Sequence, residues 1–211
     1  MLVVFNPTLK CAPSAPPLSS TLNIMRIVIQ SLVLLLLTPL VSIADSIRPN
    51  TPIVAAGNDG TCYAKSVPSE FMGQKGTTKI YIVGKLKDSI ADSYNWYSDE
   101  IYISCKAWIN GRYETTVVRM GPWTDGSVAN QSDLAIAFYM NGKLLKKYST
   151  LDIAGKPTNV HNSVSHYKVF SSIVGFKWKY DESSYFVAIR IDGVEMKFDT
   201  STGLLVPQKE L

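Results

Sequence analysis

The chain has 211 residues, 46% hydrophobic and 18% charged, with 21 Lys and Arg against 17 Asp and Glu. Aromatic residues make up 10% and mean hydropathy is +0.07, so apolar surface is sufficient to offset the entropy of ordering, and a disordered chain swollen by its own charge is excluded. Thirteen glycines without a repeat, no sustained heptad seam and only three cysteines exclude collagen, coiled coil and a disulfide-dense miniprotein, leaving an ordinary globular domain.

From Ile27 to Ala44 eighteen residues carry no charge, densest from Leu32 to Leu37, and Met25 and Arg26 precede them. A basic start, an apolar run, the helix-breaking Pro39 and the small residues Ser42 and Ala44 are the order of a signal peptide at 25–44, cut before Asp45. The alternative is a retained anchor, since eighteen residues reach the lower limit for crossing roughly 30 Å of hydrocarbon. Residues 1–24 carry four prolines, one lysine and no acid. They stand upstream of a segment that is complete when started at Met25, so Met25 is the expected initiator and 1–24 a non-native extension. Cys11 follows Lys10 ahead of the apolar run, which is the wrong context for lipidation. Cleavage would leave 167 residues and remove Lys10 and Arg26, so 19 basic side chains face 17 acidic ones. That balance lacks the basic stripe of a nucleic-acid binder. Membrane contact is expected only transiently, through the signal peptide.

Residues 45–61 hold Pro49, Pro52, Gly57 and Gly60 with little periodicity and read as an extended leader. A β-domain is expected over 62–205, followed by a tail at 206–211. Cys62 and Cys105 are the two cysteines that survive cleavage, an even number suited to a disulfide in an oxidising compartment. Cys105 shares a strand face with Ile101, Ile103 and Ala107. Two separately buried thiols are the alternative, and zinc-ligand spacing is missing.

Three hairpins are predicted from Asn-Gly or Asp-Gly pairs between alternating runs. Asn110–Gly111 would join Ile101–Ile109 to Arg112–Val118, Asn141–Gly142 would join Leu134–Met140 to Lys143–Tyr148, and Asp192–Gly193 would join Tyr185–Ile191 to Val194–Phe198. Each pair suits a two-residue primed turn. Leu134–Met140 is apolar on both faces and is expected to be a central strand. Further strands are predicted at Lys79–Val83, Ser163–Phe170 and Phe176–Tyr180, the last four from Ser163 onward reading as a meander. No segment longer than ten residues in the mature chain has a helical stripe. About ten short strands predict an all-β fold, a single antiparallel β-sandwich or a small barrel built from hairpins.

The segment Gly60, Thr61, Cys62, Tyr63, Ala64, Lys65, with Pro68 beyond, resembles a Gly-x-Cys-Tyr-Ala-basic segment of uncharacterised exported bacterial envelope proteins. Phe138 to Leu145 and Tyr148 to Asp152 are similar to the later part of such proteins. The resemblance implies an exported single domain, periplasmic or extracellular, and assigns no catalytic residue.

Candidate site residues follow from chemistry. His166 could serve as a base toward Ser149 or with Asp152, since such triads are defined by geometry, although no Gly-x-Ser-x-Gly motif accompanies it; a hydrogen-bonded structural histidine is the alternative. His161 and His166, five residues apart, would face opposite sides of one strand and so would not share a metal. Asp92, Asp99, Glu100 and Asp133 raise a glycosidase reading, with Asp99 and Asp133 as the pair, against turn formation as the plainer role. Trp96, Tyr97 and Trp123 lie in loop-like stretches and are candidate binding contacts with a glycan or protein; folding over the sheet ends as core lids is the alternative. Lys143, Lys146 and Lys147 would guard an exposed edge strand or touch an anionic surface. Asn130-Gln131-Ser132 is a glycosylation sequon that matters only in a eukaryotic host. No motif implies a metal or cofactor. The leading expectation is a non-catalytic exported domain binding an envelope protein or glycan, with an envelope hydrolase and a structural subunit as alternatives.

Overall fold

The computed structural model of the protein describes residues 49–107, 113–178 and 184–207. The expected extension and signal peptide, the Asn110–Gly111 turn and Tyr180 lie outside the described residues. The first sheet runs β1 (Ile53–Ala56), β2 (Cys62–Pro68), β3 (Gly76–Ile82), β4 (Ser89–Tyr94) in sequence order. A middle sheet follows, β5 (Ile101–Ala107), β6 (Tyr113–Met120) and, past the two-residue β7 (Thr124–Asp125), β8 (Leu134–Met140) and β9 (Lys143–Ser149). The helix α1 (Thr150–Ala154) leads to β10 (His161–Asn162) and β11 (His166–Lys168), which pair with β7 in a small third sheet. A last sheet is the meander β12 (Phe170–Trp178), β13 (Ser184–Arg190), β14 (Glu195–Asp199). Every pairing is antiparallel.

The layering follows from which strands are apolar on both faces. In β2 and β3 the pairs Cys62↔Ile82, Ala64↔Ile80 and Ser66↔Thr78 are inward, while Tyr63 and Tyr81 stack outside at 4.9 Å. This one-sided alternation belongs to an outer layer. The middle sheet instead sends Ile101, Ile103, Cys105 and Val117 toward the first sheet and Val118, Ile136 and Phe138 toward the last. Phe138 lies 6.1 Å from Phe186 and 5.0 Å from Phe198, and Tyr102 meets Phe186 at 5.2 Å. Full burial of one such ring stabilises by about 1.5–3 kcal/mol. The sandwich therefore has three layers, and the barrel alternative falls because no sheet among the described residues closes on itself.

β8 is interior to its sheet, as its two apolar faces required. Asn141 and Gly142 both take positive φ, 48° and 79°, in the two-residue turn between Met140 and Lys143. The Asp192–Gly193 turn differs from expectation. Only Gly193 is left-handed, with φ 84°, and Arg190 and Val194 bracket a three-residue loop, the type I turn plus glycine bulge that is the next favoured hairpin geometry. The leader is also more than a leader, because Ile53–Ala56 adds a strand to β2. Val206, at the start of the expected tail, donates its N–H to Lys197. The strand expected at Ser163–Phe170 is broken at Val169: β11 joins β7, and Phe170 opens β12 in another sheet. The expected four-strand meander is accordingly three strands. The helix α1 escaped the period reading because it is five residues long, yet Ser149 and Asp152 form its reciprocal capping box and Gly155 its left-handed end.

Candidate binding sites

A small cavity of about 160 Å³ opens where the chain leaves β6. Thr124 and Asp125 pair with Tyr167 and His166, after which the two segments diverge around a space lined by Glu100, Trp123, Lys168, Phe170, Ser171 and Ile173. Gly121 permits this path, since a Cβ there would stand 1.7 Å from the Leu134 carbonyl oxygen. Trp123 is 50% exposed, and the Lys168 ammonium sits 5.1 Å from its ring centroid, a cation–π contact that holds one face of the indole.

A larger cleft of about 760 Å³ lies at the far ends of β5 and β12. Phe176 and Trp178 form an aromatic wall, their rings nearly parallel with centroids 6.3 Å apart. Phe176 is buried, while Trp178, in register with Ser184, is 56% exposed. Ser104, Ser184 and Thr200 supply hydroxyls, while Asp59, Glu114 and Asp199 supply carboxylates. Two of these carboxylates are fixed by their own turns. Asp59 accepts from the Thr61 N–H and hydroxyl at 3.0 and 2.8 Å, and Asp199 accepts from the N–H groups of Ser201 and Thr202 at 2.9 Å each. Burial works to raise the Asp199 carboxyl, but the Ser201 and Thr202 hydrogen bonds outweigh it and hold it below the usual range. The volume is that of a small-ligand site, with an apolar wall and a few oriented polar groups.

Two of the three aromatic contacts expected from sequence are elsewhere. Trp96 and Tyr97 are 8% and 3% exposed, Trp96 within the layer between the first and middle sheets and Tyr97 with its hydroxyl donating to the Thr51 carbonyl at 3.0 Å. Their loop is drawn inward by hydroxyls: Thr78 donates to the Trp96 carbonyl at 2.9 Å, the Ser98 N–H donates to Ser66 at 3.2 Å, and the Ser98 hydroxyl donates to Met120 at 3.0 Å. Arg119 then lies 4.8 Å over the Trp96 ring and donates to the Tyr97 carbonyl and to Gln74. Burial pushes this guanidinium down from its ordinary value.

The catalytic candidates do not converge. Ser149 and Asp152 are consumed by the helix cap, with Oγ accepting from the Asp152 N–H at 3.0 Å and the carboxylate accepting from the Ser149 N–H at 2.8 Å. His166 meets neither of them in hydrogen-bond contact. Its Nδ1 is 2.7 Å from Ser165 Oγ, and its Nε2 is 2.8 Å from Asp125 across β7 and β11, at ion-pair distance but outside hydrogen-bond geometry. His161 is on the neighbouring strand β10, opposite Lys168, so the two histidines do not share one strand as expected. Asp133 accepts from the Tyr167 hydroxyl at 2.7 Å and from Asn130, binding a turn to the core, while Asp99 is exposed between β4 and β5. Neither lines either cavity. Asp92 accepts from Thr115, and Glu100 from Tyr102 at 2.7 Å. Among the described residues no group of three or more His, Cys, Asp and Glu could hold a metal. Lys143, Lys146 and Lys147 do lie on an edge strand, β9.

Trp178 is the exposed, cleft-lining ring that the sequence did not single out. In the sequence it alternates with Lys177 between Phe176 and Tyr180, a core pattern in which nothing marked it as an exposed ring. Comparison with protein-family models, curated proteins and solved structures finds no match.

Proposed function

We propose that the protein is an exported, disulfide-stapled β-domain that binds a protein or glycan component of the cell envelope without transforming it. The observation that carries this reading is the Phe176–Trp178 wall of the larger cleft, facing hydroxyls and turn-fixed carboxylates. An exposed rigid ring beside oriented polar groups gives contact area at low entropic cost. Export is supported by the Cys62–Cys105 bond, which an oxidising compartment favours, together with the signal-like segment at 25–44. Binding of purified host cell-wall polysaccharide and surface proteins to the full chain and to Trp178→Ala tests the site. Loss of binding in the variant is expected; equal binding would remove the cleft from consideration. For export, the intact mass of native material should lack residues 1–44 and resist thiol alkylation until reduced.

A second reading, an envelope hydrolase, has one observation in its favour: the Ser165–His166–Asp125 chain of contacts. Labelling by a fluorophosphonate that disappears in Ser165→Ala would select it over the binding reading.

A further inference from the structure

We propose that the two cavities are the end subsites of one track, and that the track takes a linear glycan that is neutral or bears amino groups. This rests on the binding reading above and specifies its ligand.

The topology makes the connection. β5 and β12 are terminal strands of their sheets. The small cavity is lined by Glu100, just before β5, and by Phe170–Ile173 at the start of β12; the larger cleft is lined by Ser104–Ala107 at the end of β5 and by Phe176 and Trp178 at the end of β12. The same two strands thus line both sites; on β12, Ser171 and Ser172 are exposed within the small cavity and Val174 is exposed on the way to the larger cleft. At about 3.3 Å per strand residue, Ser171 and Trp178 are separated by roughly 23 Å. Each end carries a half-exposed indole, Trp123 at one and Trp178 at the other.

Two observations choose the chemistry. Asp59, Glu114 and Asp199 outnumber Lys106 among the described residues of the larger cleft, and Glu100 offsets Lys168 in the smaller one, so a polyanion meets repulsion at the larger cleft and no compensating attraction at the smaller. An added peptide strand meets a different obstacle. The β12 register shifts between Phe170 and Ser172 and again between Ile173 and Gly175, and a bulged edge is a poor template for a further strand. Stacking on indole faces with hydrogen bonds to hydroxyls and carboxylates needs no regular ladder.

The test is affinity of the full chain across an array of linear neutral, amino-bearing and anionic oligosaccharides of graded length. A disaccharide should bind through Trp178, and affinity should rise about a hundredfold once the oligomer spans both ends, as expected for linked sites. Trp178→Ala should abolish disaccharide binding, whereas Trp123→Ala should leave it intact and remove only the gain with length. Trp→Phe at either position should restore most of the effect, and unchanged thermal melts should separate binding from folding. Disaccharide binding with no gain in length would overturn the track while sparing the cleft. Preference for anionic glycans, or no linear glycan bound at all, would overturn the ligand class; Trp178-dependent binding of a purified surface protein would then leave the broader reading standing.

Discussion

Cys62 of β2 and Cys105 of β5 are bonded across the first two layers, their Cα atoms 6.2 Å apart and 43 residues apart in sequence. Both are buried in the same cluster as Ile80, Ile103 and Val117. The bond therefore ties the outer sheet to the middle one at the end where the larger cleft opens. In the chain-entropy account, closing a loop of this length restricts the unfolded state by about 4 kcal/mol. The Cys62→Ala, Cys105→Ala double variant should lose about that much in denaturant unfolding under oxidising conditions; a loss well under 1 kcal/mol would show that the bond does not constrain the unfolded chain.

Phe138 and Trp178 should separate core from surface. Phe138 is fully buried between Phe186 and Phe198, and Phe138→Ala should cost about 3–5 kcal/mol through lost transfer energy and the cavity left behind. Trp178→Ala should change stability far less, since more than half of its surface already meets water. Urea midpoints of the two variants measure the difference.

Gly121→Ala should distort the turn into β7. The added methyl would stand against the backbone carbonyl of Leu134, while the Gly121 N–H must still reach Ala135 at 2.9 Å. Overpacking of this kind costs about 1–3 kcal/mol. A crystal structure or backbone amide shifts at Trp123 and Thr124 would register the displacement, and a variant of native stability with unmoved shifts would contradict it.

Arg190 and Asp192 form a two-point pair at 2.8 and 2.7 Å, and Arg190 also donates to the Ile153 carbonyl at 3.2 Å, fastening the last hairpin to α1. The Arg190 fork holds the Asp192 carboxyl at about 2, below the ~3.9 of a free aspartate. A depressed folded value means that the unfolded state takes up the proton first, so the stabilisation is present above about pH 4 and is lost as pH falls through about 2. A carboxyl NMR titration should place Asp192 low in the native chain and near ~4 in Arg190→Met. Titration near ~4 in both would mean that the pair does not form in solution.

The features legible in the residues alone were those that local chemistry sets. Asn141–Gly142 specified its hairpin because only such residues tolerate two positive φ angles in succession, and the two apolar faces of Leu134–Met140 required an interior strand. The face shared by Ile101, Ile103 and Cys105 put the cysteine inside, within reach of Cys62. The Ser149–Asp152 cap was equally legible but was hidden by the shortness of its helix. Which aromatic rings meet solvent was set by contacts between distant segments. Trp96 and Trp123 both occupy loops beside polar residues, yet Trp96 is drawn inward because its carbonyl accepts from Thr78, eighteen residues away, and its ring packs against Arg119 of another sheet. Trp178 is exposed beside groups contributed by β5 and by the Asp199 turn. Burial depends on what other segments bring to a residue, and those contacts join positions too far apart for a period or a spacing to reveal.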